Sequence, residues 1–125
     1  IFGDYNIVAP NVVVAGYSHD LYDYTKFPSK GGIRIGDYCW LAANSSIMPG
    51  VVLGDHVIVA ANSVVTKSFK QGYCVVAGNP AKVVKELDPD KVVKNRNPYE
   101  YHGFIRKDNF ESFSSKYLDV SKCVV

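Results

Sequence analysis

Branched aliphatic residues recur at every sixth position through the middle of the chain. The residue after each of them is usually small, as at Gly36 and Ala42, and the fifth place of each repeat holds a small or modest side chain. A fixed spacing of this kind indicates a repeated structural unit. The series comprises Ile35, Leu41, Ile47, Leu53, Val59 and Val65, and an earlier group with the same spacing comprises Phe2, Val8 and Val14.

A period of six excludes an amphipathic helix, because six steps of about 100° scatter the aliphatic residues around a helical axis. In extended chain six is an even number, so all of them point to one side. An ordinary β-sandwich would instead need strands of variable length separated by long turns. We therefore predict an all-β fold, a parallel β-helix (solenoid) of short strands whose aliphatic residues stack in columns.

Length and composition favour a single domain. The chain has 125 residues, of which 47% are hydrophobic, which is enough for one core and too short for two. No apolar run is long enough to span a bilayer, and no charged-then-apolar leader opens the sequence. Because Ile1 already lies within a repeat, we expect that an N-terminal segment precedes it in the whole protein.

Cysteine content and charge bear on compartment and partners. Three cysteines without a CxxC spacing argue against a disulfide framework or a zinc site and favour a cytoplasmic location. A net charge of +2 is too small to indicate nucleic-acid binding. Residues 67–125 hold eleven Lys or Arg against seven Asp or Glu. This basic half suits an anionic ligand such as a phosphorylated cofactor, although a solvated surface explains it nearly as well.

A loop insertion, residues 15–32, interrupts the repeat between Val14 and Ile33. Long excursions from a regular scaffold often carry function. Ser18, His19 and Asp20 stand near its start, and histidine suits a general base because its free pKa is about 6.5. Asp20 could orient the imidazole or a substrate, although adjacent residues in extended chain point to opposite faces.

These features resemble the hexapeptide-repeat acyltransferases, a family with left-handed β-helix folds, and most closely its polysaccharide and sugar O-acetyltransferases. The left hand comes from the resemblance alone, since the general rule for parallel crossovers predicts the opposite. The resemblance implies an acetyltransferase domain over residues 1–85. It extends from about Phe2 to Lys85 and is carried by the repeat and by the stretches Ile35 to Leu41, Ala60 to Lys67 and Ala77 to Lys82.

The resemblance also implies a reaction. In the family an acetyl group moves from acetyl-CoA directly to the acceptor, without a metal, and the essential histidine lies in the loop that interrupts the helix. Ser18-His19-Asp20, followed by Phe27-Pro28, matches that loop. We therefore expect His19 to be the catalytic general base, with Ser18 and Asp20 binding or orienting a sugar hydroxyl.

The cofactor side follows from the same resemblance, which implies a homotrimer with acetyl-CoA bound between subunits. Trp40 would wall the acetyl and acceptor pocket, Ala42 and Ala60 would let backbone amides approach the pantetheine, and lysines would meet the phosphates. Small residues also serve to turn the coil, and surface lysines need no ligand, so plainer interpretations stay open. The expected cofactor-binding residues are Trp40, Ala42, Ala60, Thr66, Lys67, Lys82 and Lys85.

Other functions stay open. The Ile47–Val65 stretch also resembles streptogramin and chloramphenicol acetyltransferases, and amino-sugar N-acetyltransferases are a third choice. A non-catalytic scaffold subunit is the alternative of another class. The γ-class carbonic anhydrases share the solenoid and bind zinc through several histidines. Here His56, in a repeat corner where we expect it to face solvent, and His102, in the tail, are not spaced to meet His19 on neighbouring coils.

The tail, residues 86–125, lacks the repeat, and we expect it to be short and partly helical. Asp88-Pro89 is typical of a helix start. A capping-box spacing and an aromatic series at helical spacing predict a second, amphipathic helix further along. The residues of that prediction are Asp108 and Glu111 for the box and Phe110, Phe113 and Tyr117 for the apolar face.

Overall fold

The structure is a computed structural model that describes residues 1–28 and 31–93 and, in the tail, residues 101–102, 105–106, 109–110 and 112. The chain divides into two units, Ile1–Lys94 and Asn95–Val125. None of the described helical residues belongs to a helix long and apolar enough to cross a membrane. The strands of the first unit are β1 (Ile7–Val8), β2 (Val13–Val14), β3 (Arg34–Ile35), β4 (Trp40–Leu41), β5 (Ser46–Ile47), β6 (Val52–Leu53), β7 (Val57–Val59), β8 (Val64–Val65), β9 (Cys74–Gly78) and β10 (Ala81–Glu86).

These strands form three sheets of parallel strands that the chain visits in a fixed sequence. The sheets are β1-β4-β7-β9, to which β10 adds at the end, then β2-β5-β8, and β3-β6. Single bridges from Phe2 to Ile35 and from Leu53 to Phe69 extend the last sheet at both ends. In the regular part, partners lie 18 positions apart, as in the pairing of β4 with β7. Three six-residue units therefore make one pass through the three sheets, which we call a rung.

The loop insertion lies between the first two rungs and leaves their register intact. Ile7 on β1 pairs with Trp40 on β4, and Val13 on β2 pairs with Ser46 on β5, so the partner separation rises to 33 positions. The excess over 18 is the loop that follows β2, where the sequence predicts an interruption. Paired strands on both sides of the loop thus fix the positions of its ends.

The predicted aliphatic series from Ile35 to Val65 forms the core, and each of its six members is buried. The fifth position of each repeat is buried as well. It lies two residues before the aliphatic one, and two steps along extended chain return to the same face. This second buried set comprises Cys39, Ser45, Val51, Val57 and Ser63.

Among the described residues, the first rung pairs with one other rung, the second. Its members of the aliphatic series stay exposed, at 49% for Phe2, 53% for Val8 and 37% for Val14. The equivalent side chains of the second rung are at most 2% exposed. The difference follows from position in the stack, because a rung buries its apolar edge only against neighbours on both sides.

One corner of the rungs carries an aromatic column. Tyr5, Tyr38, His56 and Tyr73 all have left-handed backbone, with φ between 48° and 58°. Successive ring centroids lie 5.0, 4.9 and 5.0 Å apart. His56 is therefore only 5% exposed, and the expectation that it faces solvent is wrong. The rings of the two adjacent rungs cover its faces.

Aspartates of the same corner tie each rung to the next. Asp37 Oδ1 accepts a hydrogen bond from the backbone nitrogen of Asp4 at 2.8 Å, and Asp55 Oδ1 accepts one from that of Asp37 at 2.9 Å. At another corner, asparagine recurs with left-handed backbone, which its short polar side chain tolerates well. These residues are Asn11, Asn44 and Asn62.

The parallel stack ends in a hairpin. β9 pairs in parallel with β7 and antiparallel with β10, and the chain reverses at Asn79-Pro80. After β10, the carboxylate of Asp88 accepts a hydrogen bond from Asp90 N, and Lys91 N donates to Asp88 O. These bonds close a single turn, so the helix start predicted at Asp88-Pro89 is wrong for the described residues, which run to position 93.

The second unit contains an antiparallel pair, β11 (Tyr101–His102) and β12 (Ile105–Arg106), which the sequence pattern does not predict. Asn109, Phe110 and Ser112 are helical, as expected for a partly helical tail. The other residues on which the helix prediction rests lie outside the described residues; they are Asp108, Glu111, Phe113 and Tyr117.

Candidate functional site

The loop that carries the predicted base leaves the scaffold just after β2. Ala15 N still donates to Ile47 O at 2.9 Å, so the chain stays paired until that residue. Ser18 and His19 follow within four positions, and both are exposed. The candidate base therefore lies close in sequence to a fixed strand end, with its side chain accessible to a substrate.

His19 is oriented by the backbone of its own loop. Its Nδ1 lies 2.6 Å from the carbonyl oxygen of Tyr24. A carbonyl oxygen can only accept, so Nδ1 must carry the proton and donate it in this arrangement. The neutral ring then presents the lone pair of Nε2, the form required of a general base. The ring of Phe27 packs on the imidazole with centroids 4.5 Å apart.

The two neighbours of His19 have different surroundings. Ser18 Oγ lies 3.4 Å from the carbonyl oxygen of His19, a long contact that leaves the hydroxyl exposed. Asp20 Oδ1 accepts hydrogen bonds from the backbone nitrogens of Tyr22 at 2.8 Å and Asp23 at 3.0 Å. The Asp20 carboxylate thus stabilises the loop backbone. The hydrogen bond of His19 Nδ1, which an orienting carboxylate would accept, goes to Tyr24 O instead.

A second carboxylate holds the end of the same turn. Asp23 accepts from the Thr25 backbone nitrogen at 3.1 Å, from Thr25 Oγ1 at 2.6 Å and from Lys26 Nζ at 3.0 Å. Hydrogen bonds from the Thr25 side chain, the Lys26 side chain and the Thr25 backbone, in that order, lower the pKa of Asp23. Asp20 N also donates to Lys26 O at 2.9 Å, which closes residues 20–26 into a ring.

Trp40 points out of the sheet, as alternation with buried Leu41 predicts, and it is 46% exposed. Strand pairing places it in an outward row with Ile7 on one side and Ile58 then Val75 on the other. Ile7 is also exposed. The row is an apolar surface one residue wide that crosses four strands.

The predicted cofactor residues occupy two regions of the scaffold. The backbone nitrogens of Ala42 and Ala60 donate to Val59 O and Val76 O, each at 2.9 Å, so neither N–H is available to a ligand. A ligand at these two positions would therefore meet the side-chain methyl groups rather than free N–H donors, and the part of Ala42 and Ala60 in binding pantetheine stays a prediction. The remaining members are exposed: Thr66 and Lys67 follow β8, and Lys82 and Lys85 lie on β10.

Sequence reasoning missed the groups that hold His19. Any residue can supply a backbone carbonyl, so Tyr24 carries no signal in its side chain. In the part of the chain that the structure describes, His19 makes no hydrogen bond or ring contact with Trp40 or with the predicted cofactor residues. The described part of one chain therefore does not bring the two sides of the predicted site into contact.

Neither buried thiol is suited to nucleophilic chemistry. Burial raises the pKa of Cys39 to about 11, and Cys39 Sγ lies 3.2 Å from the carbonyl oxygen of Gly54. Burial, and then the charge of Glu86, also raise the pKa of Cys74. Over the described residues there is no group of three or more His, Cys, Asp or Glu side chains that could hold a metal ion.

Comparison with known proteins identifies the repeat. Residues 32–67, from the loop end through β8, match the family described as bacterial transferase hexapeptide (six repeats). This segment of the chain is therefore similar to the hexapeptide-repeat transferases. Of the predicted site, Trp40, Ala42, Ala60, Thr66 and Lys67 lie inside the matched hexapeptide segment.

Relatives of this hexapeptide-repeat chain are named as acetyltransferases. It is 51% identical over 85 residues to a Dictyostelium discoideum protein so named, covering 65% of this chain and 44% of the relative. It is 33% identical over 102 residues to a Lysinibacillus sphaericus protein named as a macrolide acetyltransferase, covering 82% and 56%. A galactoside acetyltransferase in complex with coenzyme A matches its structure with a TM-score of 0.64 at 30% identity, covering 81% and 52%. The chain thus spans about half the length of the curated relatives it matches.

Proposed function

We propose that this chain is the catalytic part of an acetyltransferase that moves an acetyl group from acetyl-CoA to a hydroxyl of a sugar or polysaccharide. The observation that carries the proposal is the hydrogen bond of His19 Nδ1 to Tyr24 O, which leaves Nε2 able to accept a proton. An exposed ring held in that tautomer is what a general base for a hydroxyl requires.

The reaction is a direct transfer. His19 Nε2 takes the hydroxyl proton while the hydroxyl oxygen attacks the thioester carbonyl carbon, and a backbone N–H stabilises the oxyanion that forms. Collapse of the tetrahedral intermediate breaks the carbon–sulfur bond, and the imidazolium returns the proton to the departing thiolate. The products are an acetyl ester and the free thiol of CoA, with His19 back in its starting state.

The loop surface supports a carbohydrate acceptor. Leu21, Tyr22 and Tyr24 are 83%, 99% and 74% exposed on the same loop as His19. Exposed aromatic rings combine an apolar face with a hydroxyl at the edge, which suits the mixed surface of a sugar ring. A galactoside acetyltransferase is among the solved structures to which this chain is similar. In this proposal Ser18 and Asp20 lie beside the acceptor and Trp40 walls its pocket.

The cofactor side follows from the fold that we propose, a left-handed β-helix. Acetyl-CoA would lie along the rungs between subunits of a homotrimer, a soluble assembly of the cytoplasm. A neighbouring subunit would then bring the cofactor to His19, which one chain alone does not do in its described part. The groups assigned to acetyl-CoA are the outward faces of Trp40, Ala42 and Ala60, together with Thr66, Lys67, Lys82 and Lys85.

The acceptor class can be tested by thiol release from acetyl-CoA across a panel of sugars, oligosaccharides, amino sugars and macrolides. The proposal expects acceptor-dependent release with neutral sugars, and product analysis that shows an O-acetyl ester. Release only with amino sugars would make the chain an N-acetyltransferase. No release with any acceptor and no binding of CoA would favour a non-catalytic scaffold subunit.

A second acceptor class deserves the same panel because of one relative. The protein named as a macrolide acetyltransferase is 33% identical to this chain over 102 residues, which is 82% of the chain. A macrolide offers both sugar hydroxyls and a large apolar ring, and the exposed apolar loop side chains suit either. Turnover with a macrolide at least about tenfold above that with any free sugar would select this alternative.

A further inference from the structure

We propose that Asp23 is a positioning residue that sets the tautomer of His19 by acting through a single peptide unit. The inference rests on the proposed function only in that the proposed function gives that tautomer a use. The hydrogen bonds that support it all lie within the loop. The unit in question is the peptide that joins Tyr24 to Thr25.

This peptide is held at both of its polar ends. Its N–H belongs to Thr25 and donates to Asp23 Oδ1 at 3.1 Å. Its C=O belongs to Tyr24 and lies 2.6 Å from His19 Nδ1. In a planar trans peptide the N–H and C=O point in opposite directions, so fixing one fixes the other. The Asp23 carboxylate therefore aims the carbonyl that holds the imidazole.

The carboxylate is itself restrained. Thr25 Oγ1 donates to the same oxygen at 2.6 Å, Lys26 Nζ pairs with the other oxygen at 3.0 Å, and Asp23 N donates to Asp20 Oδ1 at 3.0 Å. The lowered pKa of Asp23 keeps it ionised and acceptor-only at neutral pH. A charged acceptor also polarises the peptide and strengthens the bond that its carbonyl accepts.

The arrangement resembles a carboxylate that orients a catalytic histidine, with one peptide unit inserted between them. If the Tyr24 carbonyl turned away, His19 could take the proton on Nε2 instead, and that nitrogen could no longer accept one from a hydroxyl. Asp23 would thus affect the proton-transfer step without touching the acceptor or the cofactor.

The test is Asp23→Ala, read by ¹H–¹⁵N correlation spectra of the His19 ring and by steady-state kinetics. The expected result is a wild-type ring protonated on Nδ1 and a variant with mixed tautomers. We also expect kcat to fall at least about tenfold, with KM for acetyl-CoA within about twofold. Asp23→Asn keeps an acceptor oxygen at the same place and should restore the Nδ1–H tautomer and most of kcat.

A matched control exists after β10. Asp88 Oδ1 accepts from Asp90 N at 3.0 Å, and Asp88 Oδ2 pairs with Lys91 Nζ at 3.2 Å, the same spacing as in the loop. Asp88→Ala should leave both readouts unchanged. An unaltered tautomer and kcat in Asp23→Ala would overturn the inference, as would equal losses in Asp88→Ala. Because the tautomer is measured without turnover, an inactive wild type would count against the proposed function and not against this inference.

Discussion

The imidazole of His56 lies parallel to the phenol ring of Tyr38, with centroids 4.9 Å apart and an angle of 4° between the planes. Tyr73 covers the other side at 5.0 Å. His56 Nε2 is buried and has no hydrogen-bond partner among the described residues. The column therefore holds a polar atom in a place where the adjacent rungs have tyrosine.

The first prediction is that His56→Tyr raises thermal stability. The change removes a buried unsatisfied nitrogen, whose desolvation costs about 1–3 kcal/mol, and the column already accepts tyrosine at the same backbone conformation. We expect an increase in Tm of at least about 4 °C by calorimetry, with acetyl-CoA turnover unchanged. His56→Ala, which deletes the stacking, should lower Tm. A His56→Tyr protein less stable than wild type would contradict this account of the column.

The second prediction concerns a close approach between rungs at Gly36. A Cβ on Gly36 would overlap the Asp55 carboxylate and lie 2.8 Å from the Asp55 backbone nitrogen. Gly36→Ala should therefore lower the free energy of unfolding by about 1–3 kcal/mol in urea titrations. Gly16→Ala is the matched control, because a Cβ there meets nothing within 4 Å. Equal stabilities of the two variants would show that the rungs are spaced more widely than described.

The third prediction is a loss of stability at alkaline pH that depends on Cys39. Burial raises the pKa of this thiol from 9.0 to about 11, so the folded state keeps a proton that the unfolded state releases. The contribution of the protonated Cys39 thiol to the free energy of unfolding is complete below about pH 9. It is lost as the pH rises through about 11, and the loss amounts to about 2–3 kcal/mol at most. The check is urea unfolding of wild type and Cys39→Ala between pH 7 and pH 11.

Cys39→Ala also removes a buried sulfur and should be less stable than wild type at neutral pH by about 1 kcal/mol. Ionisation of tyrosine and lysine affects both proteins alike, so the difference in free energy of unfolding between wild type and Cys39→Ala reports on the thiol alone. That difference in free energy should shrink or reverse as the pH rises. A difference that is constant with pH would contradict burial of the thiol.

The core could be predicted from the sequence because its pattern depends only on local geometry. An even spacing in extended chain places Leu41 and Val59 on one face whatever the hand of the winding. The same alternation predicts that Trp40 points outward. The exposure of Val8 could not be predicted, because it depends on which rungs are stacked against it.

The local details of corners and loop followed no such pattern. At His56 a left-handed backbone redirects the side chain, so alternation does not apply. The Ala42 and Ala60 amides looked accessible because the sequence does not show which backbone groups pair. His19 was recognised from its place in the loop, while the Tyr24 carbonyl that holds it has no side-chain signature.

The fourth prediction tests the assignment of β10 to the cofactor phosphates. Lys82 and Lys85 are exposed and make no ion pair among the described residues. Replacing both by alanine should raise KM for acetyl-CoA about three- to tenfold, more at low salt than at high salt, and leave kcat unchanged. Lys91→Ala, which removes a lysine paired with Asp88, is the control. An unchanged KM would remove these lysines from the cofactor site.

The role of His19 as general base is measured by acceptor-dependent thiol release from wild type and His19→Ala, with CoA affinity determined by calorimetry on both proteins. We expect the variant to lose about 10²–10⁴-fold in turnover, the range expected for a general base, and to bind CoA within about threefold of wild type. Turnover by His19→Ala within about threefold of wild type would contradict the role of His19. If His19→Ala lost both turnover and the ability to bind CoA, His19 would instead support the structure of the site.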